Sequence, residues 1–234
     1  MKINEFINYL DEYQIKYNND ILKKLDIYAN FLLEYNSHTN LTAIRNIDDV
    51  YLKHFLDSIL LLVNFDIEKN AKILDIGTGA GFPGVILKIF RSDLDITLLD
   101  SNNKKITFLN ELIKKLELNN IKAVNDRAEN FIKTNREAFD YVTSRAVSSL
   151  NVLSELSIPF VKINGYFIPM KGNYELELND SLNAINVLGG ELINTIDYLL
   201  PVENSNRSII VIKKNKSTES CYPRLYDKIK KKPL

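Results

Sequence analysis

The chain has one cysteine, two histidines and eight glycines in 234 residues, and each scarcity removes a class of chemistry. A single thiol, Cys221, closes no internal disulfide and builds no thiolate metal site. Two histidines, His38 and His54, are too few for a His-rich metal centre, so no metal is expected. No apolar run approaches the roughly 18 residues that a membrane-spanning helix needs, so no membrane partner is expected. The first ten residues carry acids and amides in place of a basic-then-apolar secretion pattern, which makes a cytoplasmic location the expectation. An excess of one charge is missing too, because the formal net charge is +0. The distribution is uneven, however: Lys213 to Leu234 carries eight Lys/Arg against two Asp/Glu. By charge alone this end reads as a solvated tail, with a phosphate-pairing segment as the alternative.

What is present is the balance of a globular protein, 45% hydrophobic and 26% charged, with enough length for one α/β domain. The first seventy residues read as helices. Ile21, Leu25, Tyr28, Leu32 and Tyr35 form one stripe at helical spacing, and Val50, His54, Ile59, Leu60 and Val63 mark a second helix. The polar stretch 36–46 between them reads as a turn. From Ala71 the pattern alternates, with strands at 72–76, 95–99, 121–124, 139–143 and 165–170 and helices at 103–118, 148–161 and 174–188. Two β-rich runs follow, 191–200 and 207–213, with no helix between them. The pattern predicts a Rossmann-like, mostly parallel, doubly wound sheet that ends in an antiparallel edge hairpin. The expected divisions are a helical cap over 1–70, a main domain over 71–214 and a basic tail over 215–234.

Half of the glycines fall in one segment, Asp75-Ile76-Gly77-Thr78-Gly79-Ala80-Gly81-Phe82-Pro83-Gly84. Glycine is costly to order and serves where backbone turns sharply or approaches a ligand. The segment follows a strand and opens a helix, which is where such sheets bind nucleotides. A carboxylate at Asp75 repels a pyrophosphate but suits the cationic aminoacyl group of S-adenosyl-L-methionine. Asp100 closes the second strand 23 residues after Gly77, where an acid accepts from both ribose hydroxyls. Asp126, Arg127, Ala128 and Glu129 follow the third strand, on the loop that faces adenine in this fold. Phe82 is a candidate apolar contact beside the sulfonium. Glu129 reads equally as a solvated acid at a helix start.

Further absences narrow the reaction. Methylation of cytosine C5 needs a thiolate, and Cys221 lies far in sequence from the fourth strand. Exocyclic amines are commonly methylated beside an Asn/Asp-Pro-Pro-aromatic motif, but that position here reads Thr143-Ser144-Arg145-Ala146. An acceptor that is already nucleophilic remains. Guanine N7 fits, because its lone pair attacks without prior loss of a proton, and alignment then does most of the catalysis. Small-molecule acceptors stay open. Arg145 is the side chain singled out on this loop, to contact the cofactor or to orient a base or phosphate; a salt bridge to Asp140 or Glu129 is the alternative. His54, beside Lys53 and Asp57, reads from sequence alone as a hydrogen-bonded packing histidine.

These residues resemble the 16S ribosomal RNA guanine-N7 methyltransferases, also called the glucose-inhibited division protein B family. The resemblance runs through almost the whole chain. It is carried by Asn40-Leu41-Thr42-Ala43-Ile44, Lys53-His54-Phe55-Leu56-Asp57-Ser58, Asp75 to Gly84, Leu99-Asp100-Ser101, Arg127-Ala128-Glu129, Ser144-Arg145-Ala146 and the closing Tyr222-Pro223-Arg224 and Lys231-Lys232-Pro233-Leu234. The two N-terminal motifs and the terminal Lys-Lys-Pro-Leu are more specific than the glycine loop. The resemblance implies a monomeric class I S-adenosyl-L-methionine-dependent enzyme that modifies one guanine in the decoding region of 16S ribosomal RNA, in free RNA or in the small ribosomal subunit. It implies cofactor contacts at Gly77, Phe82, Ala128, Glu129 and Arg145, which join Asp75, Gly79 and Asp100 from the reading above. It also turns Lys53, His54, Arg224, Lys231 and Lys232 into expected RNA contacts, with Lys171 counted beside them in placing the base. The family's usual Gly-Thr-Pro stretch after the Pro-Arg pair is here Leu225-Tyr226-Asp227-Lys228-Ile229, which leaves the geometry of the tail open. Two other functions compete: a methyltransferase for a small molecule or a protein, and an RNA-binding module without catalysis.

Overall fold

The computed structural model describes residues 1–145, 148–172 and 174–234. Among the described residues seven strands form one sheet in the order β3-β2-β1-β4-β5-β7-β6. Their ranges are β1 Lys72–Ile76, β2 Asp95–Asp100, β3 Ile121–Asn125, β4 Phe139–Arg145, β5 Val161–Lys171, β6 Gly190–Leu200 and β7 Ser205–Lys214. The first five run parallel, and β7 lies antiparallel between β5 and β6. The expected edge hairpin is thus β6–β7, with its second strand inserted next to β5. Beyond its first residue β1 is buried throughout, as a central strand covered on both faces must be.

Alternate side chains of each strand feed two cores, following the two-residue period of extended chain. Ile73 joins one core, shared with Ile96, Tyr141 and the N-terminal helices α1 Ile3–Glu12 and α2 Asn19–Thr39. Leu74 joins the other, shared with Val142, Phe167, Ile210 and the helices α7 Ala128–Asn135, α8 Leu150–Ser157 and α9 Glu175–Val187. The helices α5 Gly84–Phe90 and α6 Asn103–Lys115 complete the first layer. Among the described residues no helix is long and apolar enough to cross a membrane.

The polar stretch after Tyr35 differs from its expected turn. Helix α2 continues to Thr39 and ends on Asn40 in the left-handed conformation. The reason is Asn36, whose side chain turns inward, donates to the carbonyls of Thr42 and Ile44 and accepts from Thr42 N. A residue that reads as a turn former is here a buried tie between α2 and the following loop. The next helical run begins at Ile47 (α3, Ile47–Asp49), capped by the Asn46 side chain on Asp49 N at 2.8 Å. It passes through a π-helical turn, Val50–Leu56, before α4, Asp57–Asn64. Such turns are frequent at functional sites, and this one carries Lys53 and His54.

The C-terminal segment also differs from the solvated tail that its charge implies. It folds back against α8 and forms α10, Tyr226–Lys231, with Ile229 fully buried in the second core. Its charge run hides four apolar anchors, Tyr222, Tyr226, Ile229 and Leu234.

Candidate active site

The C-terminal ends of β1, β2 and β4 converge where the strand order reverses, which is the ligand-binding crevice of open α/β sheets. After Ile76 the chain turns through Gly77, Gly79 and Gly81, all at positive φ. The turn is tied to β2 by Gly77 N and Thr78 N, both donating to Leu99 O. Gly79 at φ +62° sets its N–H on the Asp100 carboxylate at 3.0 Å. Gly84 is needed for space: an added Cβ would lie 2.8 Å from Asp75 Oδ2.

Asp75 is fully buried beneath this loop. Its Oδ2 accepts from Thr78 Oγ1 at 2.7 Å and Gly84 N at 2.9 Å. Its Oδ1 has no hydrogen-bond partner among the described residues. Burial lifts the carboxyl from 3.8 to about 6, against the opposing pull of those two donors and of Arg145. A buried carboxylate oxygen with a vacant acceptor is costly unless a ligand donates to it. Asp100 is 7% exposed, and its oxygens accept from Gly79 N, Asn102 N and Lys105 Nζ. A cleft of about 380 Å³ opens beside it, bounded by Gly77, Asp100, Ser101, Ala128, Glu129 and Tyr226. Its size and mixed lining suit a small organic ligand.

Arg145, the last residue of β4, spans the seam between the sheet and the N-terminal helices. Its Nη1 donates to Lys53 O and to Asp57 Oδ2, each at 2.9 Å, and its Nη2 lies 2.8 Å from His54 Nδ1. A guanidinium only donates, so His54 Nδ1 accepts and the ring proton sits on Nε2. Nε2 then donates to Thr42 Oγ1 at 3.0 Å. Burial and the neighbouring Arg145 charge push His54 from 6.5 down to about 3, which keeps the ring neutral. The ring also stacks on Phe82 with centroids 4.3 Å apart, and Tyr28 stacks on Phe82 at 5.2 Å. The Arg145 guanidinium lies over the same ring at 5.1 Å. Asp57 is the hub beneath: its Oδ1 faces Tyr198 OH at 3.3 Å and Arg207 Nε at 3.5 Å.

The expected cofactor residues Asp75, Gly77, Gly79, Phe82, Asp100, Ala128, Glu129 and Arg145 all lie at this end of the sheet. Gly77, Asp100, Ala128 and Glu129 line the cleft, while Phe82 and Arg145 form the adjoining cluster. Arg145 pairs with Asp57, not with Asp140 or Glu129 as its alternative reading had it. Glu129 faces Arg127 at 3.8 Å and is not the solvated acid of its alternative. Ala146 lies outside the described residues.

The expected RNA contacts fall into two groups. Lys231 and Lys232 are exposed, and Lys53 pairs at its tip with Glu203 and Asp49. His54 is enclosed under Arg145. Lys171 donates to Ser148 O and pairs with Glu177 at 2.7 Å. Arg224 grips the fully buried Glu155 through Nε and Nη2. Sequence reasoning assigned no role to Asp57, although it lies inside a quoted motif, nor to Thr42, Tyr28 or Tyr226. For Tyr226 no signal existed, because its neighbourhood departs from the family pattern.

Known proteins match this chain over nearly its whole length. The family model described as rRNA small subunit methyltransferase G covers residues 21–216. The ribosomal RNA small subunit methyltransferase G of Desulforamulus reducens is 52% identical, covering 88% of both chains. Those of Oceanobacillus iheyensis and Clostridium perfringens strain 13 are 46% and 43% identical, covering 100% and 96% of this chain and 100% and 95% of theirs. Among solved structures, TYW2 of M. jannaschii in complex with AdoMet aligns with a TM-score of 0.53 at 16% identity, over 64% of this chain and 72% of that one. A Haloferax volcanii putative methyltransferase complexed with its Trm112 activator aligns with a TM-score of 0.60 at 10% identity, over 79% and 98%. The structural likenesses speak for the fold, a Rossmann-like methyltransferase sheet. By its sequence over nearly full length, the chain belongs to the rRNA small subunit methyltransferase G family.

Proposed function

We propose that this protein transfers the methyl group of S-adenosyl-L-methionine to N7 of a guanine in 16S ribosomal RNA. The cofactor supplies an electrophilic methyl on a cationic sulfonium. The vacant Oδ1 of Asp75 is the natural acceptor for its ammonium. The Asp100 carboxylate receives the ribose hydroxyls, and Ala128 and Glu129 face the base end of the cleft. Gly77 and Gly79 let the backbone approach without a side chain between, and Phe82 offers the apolar surface beside the sulfonium.

The observation that carries the choice of acceptor atom is the state of the groups around Arg145. His54 has both ring nitrogens engaged and is held neutral, and Asp57 is committed to the Arg145 guanidinium. None of these groups is free to take a proton from an acceptor. Guanine N7 needs none taken, because its lone pair attacks directly. Arg145, held on three sides, orients the base or its phosphate as a rigid fork, so catalysis is alignment. Lys53, Lys231 and Lys232 meet phosphates. Lys171 and Arg224 act through their internal partners, and His54 acts by positioning Arg145.

The N-terminal helices serve as a cap that supplies Lys53, His54 and Asp57 to the active face. The enzyme acts as a cytoplasmic monomer. The test is transfer of a labelled methyl to 16S RNA lacking the modification, and to small subunits, mapped by chain cleavage at N7-methylguanine. One labelled guanine in the decoding region is the expected result. Cofactor binding without transfer to either substrate would move the acceptor to a small molecule or a protein.

A further inference from the structure

The segment after β7 is fastened at both ends of its course. Lys214, buried, donates to Ile158 O and Thr218 Oγ1. Arg136 donates to the carbonyls of Thr218, Ser220 and Tyr222. Glu155 on α8 accepts from Arg224 N, Nε and Nη2 at 2.9, 2.8 and 2.6 Å, and the same Nη2 reaches Lys232 O at 3.1 Å. Ile229 is sealed in the core one helical turn beyond Tyr226. A segment held in this way is a rigid strap, and its course sets Tyr226 on the rim of the cleft.

Tyr226 lines that cleft together with Leu156, Ala128, Glu129 and Asp100. Leu156 directly follows Glu155, so one turn of α8 both grips the strap and supplies the wall beside Tyr226. An aromatic and an aliphatic side chain thus line the same cleft as the carboxylate suited to ribose. Purine rings stack on aromatic faces whatever their substituents.

We propose that Tyr226 is the aromatic wall against which the adenosine part of the cofactor packs, so that the C-terminal strap is a component of the cofactor site. The proposal rests on the cofactor reading given above. It assigns to the strap a function separate from RNA contact, carried by Tyr226 and Arg224 and not by the exposed lysines.

Calorimetric titration of the full chain with S-adenosylhomocysteine and with adenosine tests it. Tyr226→Ala is expected to weaken both ligands by on the order of tenfold, and Tyr226→Phe to recover the affinity. Adenosine carries no amino acid, so an equal loss on both ligands places the contact on the nucleoside. An adenosine affinity unchanged in Tyr226→Ala overturns the proposal. If Tyr226→Ala does not fold, Tyr226→Leu is compared with Tyr226→Phe: weaker binding by the leucine variant supports the aromatic wall, and equal binding overturns it. A wild-type chain that binds neither ligand overturns the cofactor reading and this proposal together, whereas wild-type binding with an unaffected variant overturns this proposal alone.

Discussion

Arg145 and Asp57 face each other at 2.9 Å across the seam between β4 and the N-terminal helices, and both side chains are largely enclosed. Asp57 also holds Tyr198 and Arg207, so its carboxylate is the common anchor of three elements. Removing one partner of an enclosed pair strands the other, at a cost of about 3–5 kcal/mol. Asp57→Ala is therefore expected to lower folding stability by that amount in denaturant titration. Arg145→Lys keeps the charge but loses the fork, so one of its contacts to Lys53 O, Asp57 or His54 must go. Its methyl-transfer rate is expected to fall about 100-fold through misplacement, with a loss of stability smaller than that of Asp57→Ala. Near-wild-type transfer by Arg145→Lys would mean that charge alone is used.

His54 gives the fold a pH dependence with a definite sign. Its pKa is 6.5 when unfolded and about 3 when folded. The unfolded chain therefore binds the extra proton between those values, and stability is present above 6.5 and lost as pH falls towards 3. The slope from this one group approaches about 1.4 kcal/mol per pH unit. Asp75 works the other way: its pKa is raised from 3.8 to about 6, so its contribution is present below 3.8 and lost as pH rises through about 6. The two oppose each other between 3.8 and 6, and His54 dominates just above. Stability curves of wild type and His54→Asn are expected to converge as pH falls below 6.5. Parallel curves would show that the ring does not titrate as stated.

Asp75 also ties cofactor affinity to pH. As its carboxyl protonates below about 6, the acceptor proposed for the cofactor ammonium loses its charge. The affinity for S-adenosylhomocysteine is expected to decline below that pH in wild type and to be low and flat in Asp75→Asn. The same pH profile in both proteins would remove Asp75 from the site.

Gly84→Ala forces a Cβ against Leu98 and to within 2.8 Å of Asp75 Oδ2, on the opening residue of α5. Overpacking of this kind costs about 1–3 kcal/mol. A lowered melting temperature together with weakened cofactor binding is expected, since the displaced group is Asp75 itself. Unchanged melting would show that the loop yields without strain.

Lys231 and Lys232 are two of the exposed cations of the strap, beside Lys216, Lys228 and Lys230. Replacing both with alanine is expected to reduce the slope of log affinity against log salt for RNA by about 1.4–1.8. Cofactor affinity is expected to stay as in wild type. An unchanged salt slope would remove them from the RNA interface.

The sheet was legible because its strands are short apolar runs separated by helices with clear periodicity, and the glycine loop because Asp75 and Asp100 flank it at telling distances. What stayed hidden depends on partners remote in sequence. Nothing near Arg145 announces that His54, 91 residues earlier, accepts from it. Lys171 and Arg224 read as free cations until Glu177 and Glu155 are seen beside them. Asn36 reads as a turn residue because a polar side chain facing inward cannot be told from one facing out. The strap reads as solvated because its lysines outnumber the apolar anchors that dock it.

The acceptor atom is tested most directly by replacing guanosine with 7-deazaguanosine in 16S RNA. The substituted base keeps its Watson–Crick edge and its stacking face but has no N7 lone pair. Transfer of labelled methyl to normal RNA and none to the substituted RNA, with RNA affinity retained, is the result expected of an enzyme that aligns N7 without a base. Equal transfer to both RNAs would contradict it.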